Sequence, residues 1–294
     1  MTSIVLTVVG MMFVAYAILA VTLYFMQPSF VYDPVADIPY SPAEIGLDFE
    51  EVVFRTGDHL QLHGWFVPAS TRVERGEPAP DARFTVLYCH GNGGNMMYFL
   101  DTVAFLNKLG LNCFIFDYRG YGKSHGRPTE HGTYLDVRAA FRWLIKKKGI
   151  VPSRIIIFGW SLGGSIAAYL ASKVKTAGLV IESAFTSYRD IGQKFYPYMP
   201  VRWFARFDYP TIDFVRKVKS PILVIHSRSD EMIPFEFGLE LYDAANEPKI
   251  FVEIYGGHND SFLVAGDEYK KAWLDWLAFL SESQKLESPR QKSV

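Results

Sequence analysis

The sequence has little cysteine, no excess of charge of either sign and no basic residue in its first 54 positions. Two cysteines in 294 residues exclude a disulfide framework and a cysteine-rich zinc or iron–sulfur site. Thirty Lys+Arg against 31 Asp+Glu give a net charge of −1. That balance argues against a nucleic-acid protein, whose affinity rests on clustered basic residues. No H-E-x-x-H run occurs, so no metal and no cofactor are expected. Nor is there an internal repeat. With 49% hydrophobic and 21% charged residues, the chain is not of a disordered type. Its length fits one large domain or two small ones, burying roughly 75% of the unfolded surface.

What stands in the unbasic stretch is an apolar run. Ile4 to Met26 is 23 residues without a charge. As a helix it spans ~34 Å, enough for a ~30 Å hydrocarbon core. A secretory signal would need a basic start, a shorter apolar core and a small-x-small cleavage site. Met1-Thr2-Ser3 has no base, and Leu23-Tyr24-Phe25-Met26 ends the run with bulk. A core helix would not continue unbroken for 23 residues. Residues 1–27 are therefore expected to be a single-pass membrane anchor and 28–48 a linker. The positive-inside rule has almost nothing to count, so the side on which the rest of the chain lies stays open.

Beyond the anchor, Val52-Val53-Phe54 and Leu60 to Val67 predict a hairpin turning at Gly57-Asp58. Ser70 to Asp81, charged and holding Pro78 and Pro80, predicts a loop. Solid apolar runs then alternate with helical patterns. The runs are Phe84 to Tyr88, Cys113 to Phe116, Ile155 to Phe158, Leu179 to Ile181, Ile222 to Ile225 and Ile250 to Ile254. The helical patterns are Met97 to Leu109, Tyr134 to Lys147, Ser165 to Lys173 and Tyr269 to Leu280. Short apolar runs separated by helices are the pattern of a parallel sheet covered on both faces. The α/β domain should occupy 49–280, with 281–294 a frayed polar tail. One segment breaks the alternation. Tyr188 to Ser220 holds nine aromatics and three prolines, so long helices are not expected there. It reads as a cap insertion over about 187–220. Its aromatics form its own core, an apolar wall for substrate (Trp203 and Phe207) or a membrane-facing surface.

Gly159-Trp160-Ser161-Leu162-Gly163 fits G-x-S-x-G, with a strand before it and a helix after. A sharp strand-to-helix turn forces the serine into strained φ/ψ and projects its Oγ above the sheet, and flanking glycines let the chain pass closely. Ser161 is thus the expected nucleophile. It needs a base and an orienting acid, which in this arrangement follow in that chain order's remainder, acid and then histidine. His258, in a flexible turn directly after the last apolar run, is the expected base. His226 ends the preceding run and suits a packing role. His125 and His131 precede the serine, and His59 and His63 lie in the first hairpin. Asp230, one loop before the histidine loop, is the expected acid, with Asp208, Asp213 and Asp260 as alternatives. The oxyanion hole should use the backbone N–H of Leu162 and of Asn92 in His90-Gly91-Asn92-Gly93-Gly94-Asn95. That loop also reads as a glycine-rich turn in which Asn95 caps the next helix.

Gly122-Lys123-Ser124 ends like a P-loop, but Asp117 stands where its first glycine is required. Arg119 more simply ties its loop to neighbouring structure. Cys89 and Cys113 should lie ~10 Å or more apart at opposite strand ends, too far for a bridge.

The chain resembles the α/β-hydrolase superfamily. Within it, the likeness is to membrane-anchored bud-emergence (Bem) type hydrolases, related to protein depalmitoylases and serine aminopeptidase-like sequences. The resemblance rests on Cys89 to Asn95, Asp117-Tyr118-Arg119-Gly120-Tyr121-Gly122-Lys123-Ser124, Gly159 to Gly163, Asp230 and His258, and covers about Phe49 to Leu280. It implies an eight-stranded, mostly parallel sheet with its second strand antiparallel. The depalmitoylases carry an N-terminal cysteine cluster that is missing here, so protein depalmitoylation does not carry over. The expected protein is a single-pass membrane serine hydrolase acting on an acyl or lipid-like ester or thioester. A serine peptidase and a catalytically silent scaffold are the alternatives.

Overall fold

The apolar runs become the strands of one sheet. A computed structural model describes residues 2–70 and 84–287. Its strands are β1 (Glu50–Arg55), β2 (Gln61–Val67), β3 (Thr85–Cys89), β4 (Asn112–Phe116), β5 (Ile155–Trp160), β6 (Gly178–Glu182), β7 (Ile222–Ser227) and β8 (Lys249–Ile254). Across the sheet they stand in the order β8-β7-β6-β5-β3-β4-β2-β1. Only β2 runs antiparallel to its neighbours, β1 and β4; the other pairings are parallel. Every residue of β3, β6 and β7 is buried. That two-sided burial is why these strands read as unbroken apolar runs rather than alternating ones.

The helices are α1 (Thr2–Val31), α2 (Leu100–Lys108), α3 (Glu130–Lys146), α4 (Leu162–Ala171), α5 (Tyr188–Phe195), α6 (Val201–Phe204), α7 (Thr211–Val215), α8 (Phe235–Ala244) and α9 (Ser261–Glu287). One face of the sheet is covered by α3, α4, α7 and α8 through Val137, Ile166, Val215 and Leu241. The other is covered by α2 and α9 through Val103, Leu106, Trp273 and Trp276. Helix α9 corrects the expected end of the domain at Leu280. It continues to Glu287 and begins at Ser261, a break at Gly266 (φ 45°, ψ −107°) separating its first turns from the rest. Residues 288–294 of the expected tail, and 71–81 of the expected loop, lie outside the described residues.

Segment 28–48, expected to be a linker, is fastened to the domain at several points. Helix α1 runs past Pro28 to Val31, and Val31 and Tyr32 are buried in the core. Asp33 and Pro34 pair in parallel with Gly93 and Gly94, and the Asn95 side chain donates to the carbonyls of Val35 (3.0 Å) and Asp37 (2.8 Å). The sequence shows the uncharged run before it but not that residues 33–37 find partners about 60 positions away. Arg119 does tie its loop down. Its guanidinium bonds Asp136 (2.8 Å) and Asp58 (2.9 Å). Both cysteines are free and buried.

Candidate active site

The site lies at the carboxyl ends of the parallel strands, where open α/β sheets bind ligands. Ser161 sits between β5 and α4 with φ 55° and ψ −122°, a conformation that costs a non-glycine residue on the order of 1–3 kcal/mol. The surrounding backbone leaves the turn no room to relax. A Cβ on Gly163 would stand 1.9 Å from the Cys89 carbonyl oxygen, and one on Gly159 would stand 2.2 Å from that of Gly163. The two glycines of the motif therefore answer to close approach of backbone, β3 lying against the start of α4.

The serine Oγ is 3.0 Å from His258 Nε2. On the other side of the ring, Nδ1 is 2.8 Å from Asp230 Oδ2. Ser161, Asp230 and His258 are thus brought into one hydrogen-bonded line by the loops after β5, β7 and β8. The other Asp230 oxygen accepts from the N–H groups of Met232 (2.9 Å) and Ile233 (2.7 Å). Burial pushes the Asp230 carboxyl up, but His258 and the Ile233 N–H outweigh it and hold the group below its ordinary value. The alternative acids are engaged elsewhere. Asp260 accepts from Gly257 N–H at 2.6 Å, Asp208 faces Arg189 at 3.3 Å and Asp213 faces Arg216 at 3.0 Å. His226 packs in the sheet rim, its Nε2 on the Ile233 carbonyl at 3.0 Å, and burial lowers its pKa.

Leu162 is the first residue of α4, so its N–H has no carbonyl one turn earlier to bond. The Asn92 loop is built by residues whose roles the sequence did not reveal. His90 Nδ1 is 2.8 Å from the Gly91 carbonyl. In a trans peptide the N–H points opposite the carbonyl, so pinning Gly91 C=O also fixes the direction of Asn92 N–H. The Tyr121 hydroxyl donates to Asn92 C=O (2.7 Å) and the Tyr118 hydroxyl to His90 C=O (2.8 Å). Asn95 caps the turn into α2, accepting from Met97 N–H at 3.0 Å. The cap reading of this loop is thus realised.

A cavity of about 420 Å³ opens beside His258. Phe99, Phe158, Trp160 and Phe262 line it, and Glu182 and Tyr269 add polar groups. Trp203 and Phe207, expected to wall the substrate site, do not line it. Trp203 is 89% exposed. Phe207 packs against Tyr32 and lines a separate cavity with Pro28, Tyr134 and Arg206. The insertion packs against the end of α1, and the aromatics that face the site come from β5, α2's approach and α9. Spacing in the chain carried no signal for that.

Glu182, at the end of β6, was also missed. The Tyr269 hydroxyl donates to it at 2.6 Å. Full burial, with Asp230 adding to it, lifts its pKa from 4.5 to about 7. A carboxyl raised on folding binds protons more tightly in the native state, so its penalty to stability grows as pH rises from about 4.5 to about 7 and is constant above. Glu182→Gln keeps an acceptor for Tyr269 and removes the titration. We predict that the variant gains on the order of 3 kcal/mol over the parent between pH 5 and pH 8. Thermal unfolding in detergent at the two pH values checks it; parallel loss of stability in both proteins would refute it.

Comparison with known proteins agrees with this architecture. A family model for the alpha/beta hydrolase fold matches residues 85–209. The chain is 33% identical over 279 residues to the alpha/beta hydrolase domain-containing protein WAV2 of Arabidopsis thaliana, covering 85% of this chain and 87% of that one. It is 31% identical to protein bem46 of Schizosaccharomyces pombe, covering 81% and 79%. Among solved structures, an esterase of Pyrococcus furiosus superposes with a TM-score of 0.68 at 23% identity, covering 85% and 98%.

Proposed function

The chain belongs to the α/β-hydrolase family, and from that premise we propose that it is a serine hydrolase of acyl esters or thioesters, tethered to a membrane by α1. The observation that carries the reading is the unbroken line from Asp230 through His258 to Ser161 Oγ. In the proposed reaction Ser161 Oγ attacks the acyl carbon while His258 Nε2 takes its proton. Asp230 holds the resulting imidazolium, and the N–H groups of Asn92 and Leu162 receive the oxyanion. The leaving group takes the proton back from His258. Water, activated by the same imidazole, then cleaves the acyl-enzyme.

Tethering is supported by the length of α1 and by the exposure of its most apolar stretch, none of which is buried in the protein. The end of the helix enters the core at Val31 and Tyr32, which favours a retained segment over a removed one.

The aromatic cavity supports an acyl substrate. Each methylene that becomes buried there gains up to ~0.8 kcal/mol, nearly fourfold in kcat/KM. Against p-nitrophenyl esters from acetyl to decanoyl we expect kcat/KM to rise over several carbons and then level off. Phe99→Ala should flatten the rise and Trp203→Ala should leave it unchanged. A flat or falling profile from acetate onward would overturn the acyl assignment.

A further inference from the structure

Five large aromatic side chains of the insertion have found no core. Phe195, Tyr196, Tyr198, Trp203 and Phe204 are 54–96% exposed, with Tyr198 at 96%. The other aromatics of the segment are packed. Phe207 and Tyr209 are buried against Tyr32. From Ile191 to Phe207 the chain carries three bases, Lys194, Arg202 and Arg206, and no acid.

This surface is fixed to the end of α1. The Gln27 side chain donates to the Phe204 carbonyl (2.9 Å) and accepts from Arg206 N–H (2.7 Å). The Tyr188 hydroxyl donates to the Phe30 carbonyl at 3.1 Å. Gln27 is the first polar side chain after the uncharged run that ends at Met26. Counting back about 20 residues, the length that crosses a ~30 Å hydrocarbon core, reaches Thr7. Gln27 then stands at the boundary between hydrocarbon and headgroups, and the backbone at Phe204 and Arg206 stands beside it.

We propose that the insertion from Phe195 to Arg206 is a second membrane contact, seated in the headgroup layer of the leaflet from which α1 emerges. The inference rests on the tethering reading of α1. Tyrosine and tryptophan favour that layer because an apolar ring and a polar edge are both satisfied there. Arg202 is held by Asp190 at 2.8 Å, which leaves Lys194 and Arg206 as the bases that favour anionic headgroups. The insertion leaves β6 at the same sheet end as Ser161, so docking turns the catalytic end of the sheet toward the leaflet.

The test uses the full chain with one introduced thiol, Tyr198→Cys or Trp203→Cys, carrying an environment-sensitive fluorophore. Cys89 and Cys113 are fully buried, so labelling is directed to the new site. The protein is placed in nanodiscs of phosphatidylcholine with a minority of phosphatidylglycerol, and emission is quenched by lipids spin-labelled near the headgroup or at the chain end. Labels at 198 and 203 should lose most of their emission to headgroup-level quenchers and less to deep ones. Val14→Cys, in mid-helix, should be quenched by deep labels. Lys271→Cys, on α9 across the sheet, should be quenched by neither. If 198 and 203 behave like 271 while 14 is quenched, the docking is wrong and the tether stands. If 14 is also unquenched, both fail.

Discussion

Ser161→Ala lowers turnover of an activated acyl ester by ~10⁶-fold, the loss expected when the nucleophile of such a unit is removed, and abolishes labelling by a fluorophosphonate. The expectation follows from the position of Oγ, 3.0 Å from His258 Nε2 on a turn with positive φ. Alanine shares the Cβ of serine, so the backbone strain at φ 55° is unchanged, and the variant should keep its fold and its unfolding temperature. What remains is background from the oxyanion donors and binding, on the order of 10³–10⁴ over the uncatalysed reaction. Labelling that persists in a folded variant would remove Ser161 from the reaction. His258→Ala should lose nearly as much, because the groups act together.

Asp230→Asn should lower kcat by ~10⁴-fold with the fold intact. The reason is the local hydrogen bonding. Met232 and Ile233 N–H both donate to Oδ1, so the amide oxygen of the variant must occupy that position. Its NH₂ then falls where Oδ2 was, facing His258 Nδ1 at 2.8 Å. Two donors cannot face each other, so Nδ1 must give up its hydrogen and Nε2 must carry it. An Nε2–H cannot accept the proton of Ser161. Asp260→Asn should change little, since its oxygen serves Gly257 N–H in the same turn. If kcat survived in Asp230→Asn and fell in Asp260→Asn or Asp208→Asn, the acid would have been assigned wrongly. The rescue expected at high pH for a histidine held neutral by mass action would not appear, because the defect is one of tautomer and not of charge.

The middle of the sheet was legible because strands such as β3, β6 and β7 are buried on both faces. Solvent exposure on one side produces alternation, as the interleaved buried and exposed residues of β1 show, and the sequence reading placed no element at α8. Phe235, Phe237, Leu239 and Leu241 recur every second residue, the period of a strand. The segment is nevertheless a helix that buries Phe237, Gly238 and Leu241. Gly238 lies so close to His226 that a Cβ would stand 2.5 Å from its ring. Helical packing against β7 overrides the local period, and no local feature announces it.

By itself the sequence determined the parallel sheet, the apolar first helix, the serine turn and the order of the acid and histidine loops. Each is written in contiguous residues: runs set by burial, a turn set by glycines that must pass close to backbone, a helix set by 23 uncharged positions. The tertiary structure alone decided what depends on distant partners. Residues 33–37 are pinned to the Asn92–Asn95 loop, and His90 and Tyr121 orient that loop. Glu182 is buried beside the site, and the aromatic insertion turns to α1 instead of the cavity. Hydrogen bonds between residues as far apart as 29 to 179 positions leave no periodicity in the chain. Their energy depends on which backbone groups the fold happens to leave unpaired, and that is known only once the sheet has closed around them.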